Sequence, residues 1–256
     1  MYDVDHFING SFEASLSGER ISRENPATSA PLRAVARGNA ADVARAADAA
    51  QRAFAVWGRT PAAERSRILL AIAAGIDARL DELARLECED TGKPLALARA
   101  LDIPRAAANF RYFATAILHD ASESFVTERP VHAINYVLRK PLGVVGCISP
   151  WNLPLYLFTW KIAPALASGN CVIAKPSELT PTTATVLCEI ARAAGLPPGV
   201  LNVVHGLGAE AGQAIVDCPQ VRAISFTGGT VTGRRIAARC GERLIPASLE
   251  LGGKNA

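Results

Sequence analysis

The chain has 256 residues, half of them hydrophobic and a fifth charged, with a formal net charge of +3 at pH 7. That composition excludes a disordered chain, and a small charge without any lysine- or arginine-rich block gives no electrostatic case for nucleic acid or an anionic membrane surface. Six cysteines, at 88, 147, 171, 188, 218 and 240, form no CxxC pair and no cysteine–histidine cluster of metal-ligand spacing, so they read as reduced, mostly buried thiols. Met1 to His6 lacks the basic and apolar regions of a signal peptide, and the longest apolar stretches are too short to span a bilayer; the cytoplasm is the expected compartment.

After a short irregular start, the first third reads as helical. Val43, Ala47, Ala50, Phe54 and Trp57 follow alternating steps of four and three, one face of a helix over 40–57. Thr60-Pro61 reads as an N-cap followed by proline at the first helical position, and Ile68, Ile72, Ile76, Leu80 and Leu83 keep helical spacing from there. Gly92 and Pro94 form a stop signal, and 95–118 a third helical stretch with Pro104 as a kink or restart. The pattern changes over 122–140, where Ser124–Thr127 and Ala133–Leu138 alternate around Arg129-Pro130; this predicts two strands and a proline-containing turn, an excursion from the main domain.

From residue 143 strands and helices alternate: strands at 144–148, 171–175, 201–204, 223–227 and 244–250, and helices at 155–167, 181–194, 209–217 and 231–239. Short apolar strands in that order predict an α/β fold, a Rossmann-like open parallel sheet with helices on both faces. Such sheets bind ligands at the carboxyl ends of their strands, and every candidate motif falls at such an end.

The first motif is Ser149-Pro150-Trp151-Asn152-Leu153-Pro154. There is no GxGxxG; two prolines stiffen a turn presenting an indole and an amide. Asn152 could donate to a developing oxyanion or simply bond its own turn. The second is Lys175-Pro176-Ser177-Glu178. A carboxylate here accepts from ribose hydroxyls and repels a 2′-phosphate, whereas Lys175 would welcome one, so the motif leans to NAD with NADP possible; the alternative is a surface ion pair. In the third, Ser225 to Gly233, Gly228 and Gly229 open a helix whose N-terminus favours phosphate, or form a plain turn. The last is Glu250 before Gly252-Gly253, a candidate general base or a solvated turn glutamate.

In order and spacing these motifs, together with Phe7-Ile8-Asn9-Gly10 and Asn25-Pro26-Ala27-Thr28, resemble the aldehyde dehydrogenase superfamily from residue 7 to residue 256. The resemblance implies NAD(P)-dependent oxidation of a small-molecule aldehyde to a carboxylate. A cysteine thiolate attacks the aldehyde, hydride passes to the nicotinamide, and water hydrolyses the resulting thioester. Matched by motif, Asn152 supports the oxyanion and Glu250 activates the hydrolytic water. Ser149, Pro150, Trp151, Lys175, Ser177, Glu178, Gly208, Phe226, Thr227, Gly228, Gly229, Thr232 and Leu251 fall on the cofactor side, and Lys161, after Trp160, lies near the site.

Two departures stand out. Many members of the family carry serine where Gly229 stands, which leaves the phosphate contact to backbone amides. The family's nucleophilic cysteine lies a few dozen residues beyond the glutamate, in a second domain, and none of the six cysteines has that context. The chain is therefore expected to be a nucleotide-binding domain over 1–256, with 122–140 as the hairpin that builds a homo-oligomer. It would serve as the front part of the enzyme or, alternatively, as a nucleotide-binding or assembly module without dehydrogenase activity. Asp102-Ile103-Pro104-Arg105 through Arg111, with Leu157 to Lys161, resembles the branch that oxidises 2-hydroxymuconic and 2-aminomuconic semialdehydes. Arg105 is the candidate for the carboxylate of such a substrate, the alternative being a helix-surface arginine.

Overall fold

The structure, a computed structural model, describes residues 3–254. Two short hairpins open the chain: strands β1 (His6–Ile8) and β2 (Ser11–Glu13), then β3 (Arg20–Glu24) and β4 (Pro31–Ala36). Helix α1 (Ala40–Trp57) follows, started by a capping box in which the Asn39 side chain accepts from the Asp42 N–H and the Asp42 carboxylate accepts from the Asn39 N–H. Helices α2 (Ala62–Ala78) and α3 (Leu80–Thr91) divide at Arg79, whose guanidinium holds Glu82 at 2.7 Å and Glu189 at 2.7 Å. The expected Thr60 cap does not form; Pro61 is the N-cap and makes no side-chain cap bond, while the Thr60 hydroxyl donates back to the Val56 carbonyl. Gly92, with φ +72°, stops α3 as its spacing predicts.

The third helical stretch is continuous but irregular. It runs from α4 (Leu95–Leu97) through a π-helical turn, Ala98–Asp102, into α5 (Ile103–Ala116). Pro104 sits in the first turn of α5, where its missing N–H costs little, so it restarts the helix without breaking it. Strands β5 (Ser124–Thr127) and β6 (Ala133–Tyr136) then pair antiparallel as an isolated hairpin.

The remainder alternates as read: β7 (Val144–Ile148), α6 (Pro154–Ala167), β8 (Cys171–Lys175), α7 (Thr182–Ala193) and β9 (Leu201–Val203). A π turn (Gly208–Gly212) leads into α8 (Gln213–Asp217), followed by β10 (Val221–Thr227), α9 (Thr230–Glu242) and β11 (Ala247–Glu250). Strand order in the seven-stranded sheet is β11-β10-β7-β8-β9-β1-β2. Strands β7 to β11 are mutually parallel, as expected, and every residue of β7 and β8 is buried. The irregular start is corrected: β1 joins the sheet antiparallel to β9 and β2 pairs antiparallel with β1 at its edge, so the sheet is mixed.

From β7 the chain builds outward through β8 to β9, then returns to the other side of β7 to lay down β10 and β11. The β7/β10 boundary is therefore the topological switch point, where the crossovers change face and a crevice opens at the carboxyl ends. Helices α6 and α7, backed by α2, α3 and α5, cover one face, and α1, α8 and α9 the other. No described helix is long and apolar enough to cross a membrane.

Candidate functional site at the strand ends

Four of the predicted motifs meet at the switch point and the strands flanking it. At the end of β7 the Ser149 N–H donates to the Lys175 carbonyl at 3.1 Å, which ties the first two motifs together. Its hydroxyl is buried and unpartnered. Pro150 is half-buried, while Trp151, 59% exposed, and Asn152 reach into solvent above the start of α6. Pro154 occupies the first position of that helix, where its fixed φ suits the turn.

At the end of β8 Lys175 is 2% exposed. Its ammonium donates to the Pro176 carbonyl at 3.0 Å and to Glu178 Oε2 at 3.0 Å. Burial lowers the Lys175 pKa, and Glu178 opposes that shift. The opposing pulls read from the sequence are thus joined in one ion pair, and Glu178, half-buried, is its solvent-facing member. Ser177 faces inward and accepts from the Leu179 N–H at 3.2 Å, so its hydroxyl is engaged in the turn. After β9, the turn at Gly208–Gly212 passes over Lys175; a Cβ on Gly212 would lie 3.5 Å from the Lys175 stem.

At the end of β10 the Gly228 N–H donates to the Glu250 carbonyl at 3.0 Å, and a Cβ on Gly228 would stand 2.5 Å from the Phe226 ring. Gly229 caps α9 and has open space above it, so backbone amides and the positive end of a thirteen-residue helix face the crevice unobstructed. The Thr227 hydroxyl is buried without a partner. Ile148, Gly208, Val216, Phe226, Thr232 and Ile236 are among the residues lining a cleft of about 280 Å³ between α8 and α9. A slot of this character suits a flat ring next to a phosphate-binding helix start.

Glu250 ends β11 in register with Thr227 and is exposed. Two strand spacings, about 10 Å, separate β11 from β7, enough for a small carbonyl compound to sit between Glu250 and the Asn152 turn. Leu251 packs against α9 where a Cβ on Gly233 would meet it at 2.3 Å. Lys161, 4% exposed, donates to Ser225 Oγ at 3.3 Å; burial lowers its pKa, while Cys147 and Glu250 raise it. Arg105 stands apart from the strand ends, on α5. Its guanidinium lies 5.3 Å from the Tyr156 ring centre and donates to the Tyr156 hydroxyl at 3.2 Å.

All six cysteines are free, and five of them are buried. Desolvation pushes Cys147 and Cys171 up to about 12 and raises Cys188, Cys88 and Cys240. A nucleophilic thiol needs a lowered pKa, so these five are in the wrong environment. Sequence reasoning missed Tyr156, the buried Glu87 and Asp102, and the half-buried Lys93 beneath the Asn152 turn. Their charges look like ordinary helix-surface residues until the helices are packed.

These residues suit a nicotinamide dinucleotide: a carboxylate at the ribose pole, an open helix start for phosphate, a slot for a ring, and two unpartnered hydroxyls on the crevice floor. The comparisons agree. Residues 12–256 match the model of the aldehyde dehydrogenase family. The chain is 49% identical to the 2-hydroxymuconic semialdehyde dehydrogenase of Pseudomonas sp. (strain CF600), covering 100% of this chain and 54% of that protein. It is 46% identical to the 2-aminomuconic semialdehyde dehydrogenase of Homo sapiens, covering 98% of this chain and 51% of that protein. Among solved structures, the NAD+ complex of an aldehyde dehydrogenase from Bacillus cereus superposes with a TM-score of 0.96 at 37% identity, covering 99% of this chain and 52% of that one. The chain thus spans about half the length of the curated relatives it matches.

Proposed function

The chain belongs to the aldehyde dehydrogenase family, and from that premise we propose that it serves the NAD-dependent oxidation of an aldehyde to a carboxylic acid through a thioester, as part of the enzyme. The observation that carries the reading is the convergence on one crevice of an amide donor, Asn152, a strand-end carboxylate, Glu250, and a dinucleotide cradle between them. NAD, when bound, supplies the hydride acceptor. Lys175 and Glu178 hold its adenosine ribose, and the ion pair leaves the carboxylate facing the hydroxyls, which favours NAD over NADP. Ser149, Pro150, Trp151, Phe226, Thr227 and Leu251 shape the crevice floor, Gly228, Gly229 and Thr232 the phosphate turn, and Gly208 the slot. Asn152 donates to the oxyanion that forms when a thiol adds to the aldehyde. Glu250 takes a proton from the water that cleaves the thioester.

The substrate class is a semialdehyde carrying a carboxylate, held by Arg105 through charge-assisted hydrogen bonds. Its support is the preset guanidinium on the Tyr156 ring and the activities named for the two relatives. The β5–β6 hairpin, with Phe125 and Ile134 exposed, is the surface that joins copies into a homo-oligomer. Six free thiols fit a reducing compartment, the cytoplasm. The test is NADH formation by the natural full-length polypeptide with 2-hydroxymuconic semialdehyde and with an unsubstituted aliphatic aldehyde. Preference for the acid-bearing substrate, lost in Arg105→Met, is expected. No NADH with either aldehyde overturns the reading, and equal turnover of both overturns the Arg105 assignment alone.

A further inference from the structure

A charged cluster beneath the Asn152 turn has no part in the chemistry above. Lys93, one residue beyond the glycine that ends α3, pairs with Asp102 and lies 3.9 Å from Glu87; both carboxylates are fully buried. The same ammonium donates to the backbone carbonyl of Asn152 at 3.2 Å. Glu87 in turn accepts from the Thr183 hydroxyl on α7 at 3.1 Å. The ammonium therefore grips the chain at Asn152, immediately before Leu153-Pro154, and is itself held by the two carboxylates. Asp102 is delivered by the π turn that precedes α5, a local distortion of the kind often found where a side chain must be aimed.

Stability is a poor explanation for this arrangement. Two fully buried carboxylates share one half-buried ammonium, and one oxygen of each, Glu87 Oε1 and Asp102 Oδ1, has no partner. Apolar side chains of the same volume usually serve a core as well or better. Burial pushes Glu87 up to about 7 against the pull of Lys93, which shows how far desolvation outweighs pairing there.

Resting on the role proposed for Asn152, we infer that Lys93 is a positioning residue: by holding the Asn152 carbonyl it sets the direction in which the Asn152 carboxamide faces the crevice. It touches neither aldehyde nor cofactor. A displacement of about 1 Å in such a donor costs roughly 10²-fold in rate, so the effect belongs in the step that forms the oxyanion.

The test is a double-mutant cycle in the natural full-length polypeptide, with NAD saturating and aldehyde varied. Lys93→Met is expected to lower kcat by about 10- to 100-fold, with the NAD Kd and aldehyde KM within about twofold. In an Asn152→Ala background the same change has little further effect, because coupled residues are not additive. Additive losses, or wild-type kcat in Lys93→Met, overturn the inference. If Lys93→Met does not fold, Asp102→Asn, which loosens the ammonium at constant volume, is carried through the same cycle with the same criteria. If the wild type forms no NADH with any aldehyde, the functional reading fails by itself. A crystal structure of the variant then decides the inference: a displaced 149–154 turn upholds the positioning role and an unmoved one overturns it.

Discussion

The two ends of the crevice differ in closure. At the β8 end Lys175 is buried and its ammonium is tied to Pro176 and Glu178. The strands beyond it are packed on both faces, and the first hairpin seals the sheet. At the β11 end Asn152, Trp151 and Glu250 stand in solvent, and all of β11 except Leu249 is exposed. Under the proposed function the contrast separates two jobs: the groups assigned to cofactor recognition are fixed by one another, whereas those assigned to the chemistry are presented outward. It also says where damage should register. Changes at the open end should cost rate with little stability, and changes at the closed end should cost affinity and stability.

The largest expected effect is at the open end. Glu250→Gln in the natural full-length polypeptide should slow turnover by about 10²–10⁴-fold, and intact mass spectrometry should find an acyl adduct that the wild type does not accumulate. A mutant that turns over rapidly removes Glu250 from the hydrolytic step. Asn152→Ala comes next, with a loss of about 10²–10³-fold in the single-turnover rate of NADH formation and a change in stability within about 0.5 kcal/mol. If it unfolds the protein instead, the contrast between the two ends is wrong.

At the closed end, Lys175→Met leaves Glu178 without its cation, and NAD affinity measured by titration calorimetry should fall about tenfold, or 1.4 kcal/mol. Glu178→Gln, unlike Asn152→Ala, should also melt earlier, because it leaves the buried Lys175 ammonium without its counter-charge.

The smallest effect is one of pH, and it too belongs to the closed side. His6 and His205 are buried face to face, 6.2 Å apart, and the His205 N–H donates to His6 Nδ1 at 3.1 Å. Burial lowers both pKa values; Asp42 and Asp5 oppose the shift at His6 while Arg45 adds to it, and His6 and Lys175 add to the shift at His205. With folded values depressed, the stability these groups provide is complete above the unfolded value near 6.5 and is lost as pH falls through the folded values. Tm should therefore drop by about 3–6 °C between pH 7.5 and 5.5, and less in His205→Gln. Glu87 runs the opposite way. Its folded value of about 7 lies above the ordinary 4.5, so its burial costs stability as pH rises through 7. Glu87→Gln should accordingly raise Tm at pH 8 more than at pH 5.

The alternation from β7 onward was legible in the sequence because its signals are local: β7 and β8 are short apolar runs, and each strand is flanked by a proline or glycine. The motif turns were legible for the same reason, being local in sequence. The opening strands were not. The β3 strand, Arg20–Glu24, is three-fifths charged, and β1 is three residues long with its partner near the far end of the domain. Arg79 divides two helices without a proline or glycine to announce it. The Lys93 cluster draws on α3, a π turn, α7 and the turn before α6, so no spacing along the chain could display it.

The antiparallel attachment of β1 to β9 has a consequence for synthesis. The Asn9 N–H donates to the Asn202 side chain across 193 positions of sequence. At a translation rate of about 5–20 residues per second, the first strand leaves the ribosome roughly 10–40 s before the strand it will pair with. During that wait the apolar Phe7 and Ile8, buried in the finished protein, have β2 with its Phe12 ring and helix α1 as native neighbours but lack β9.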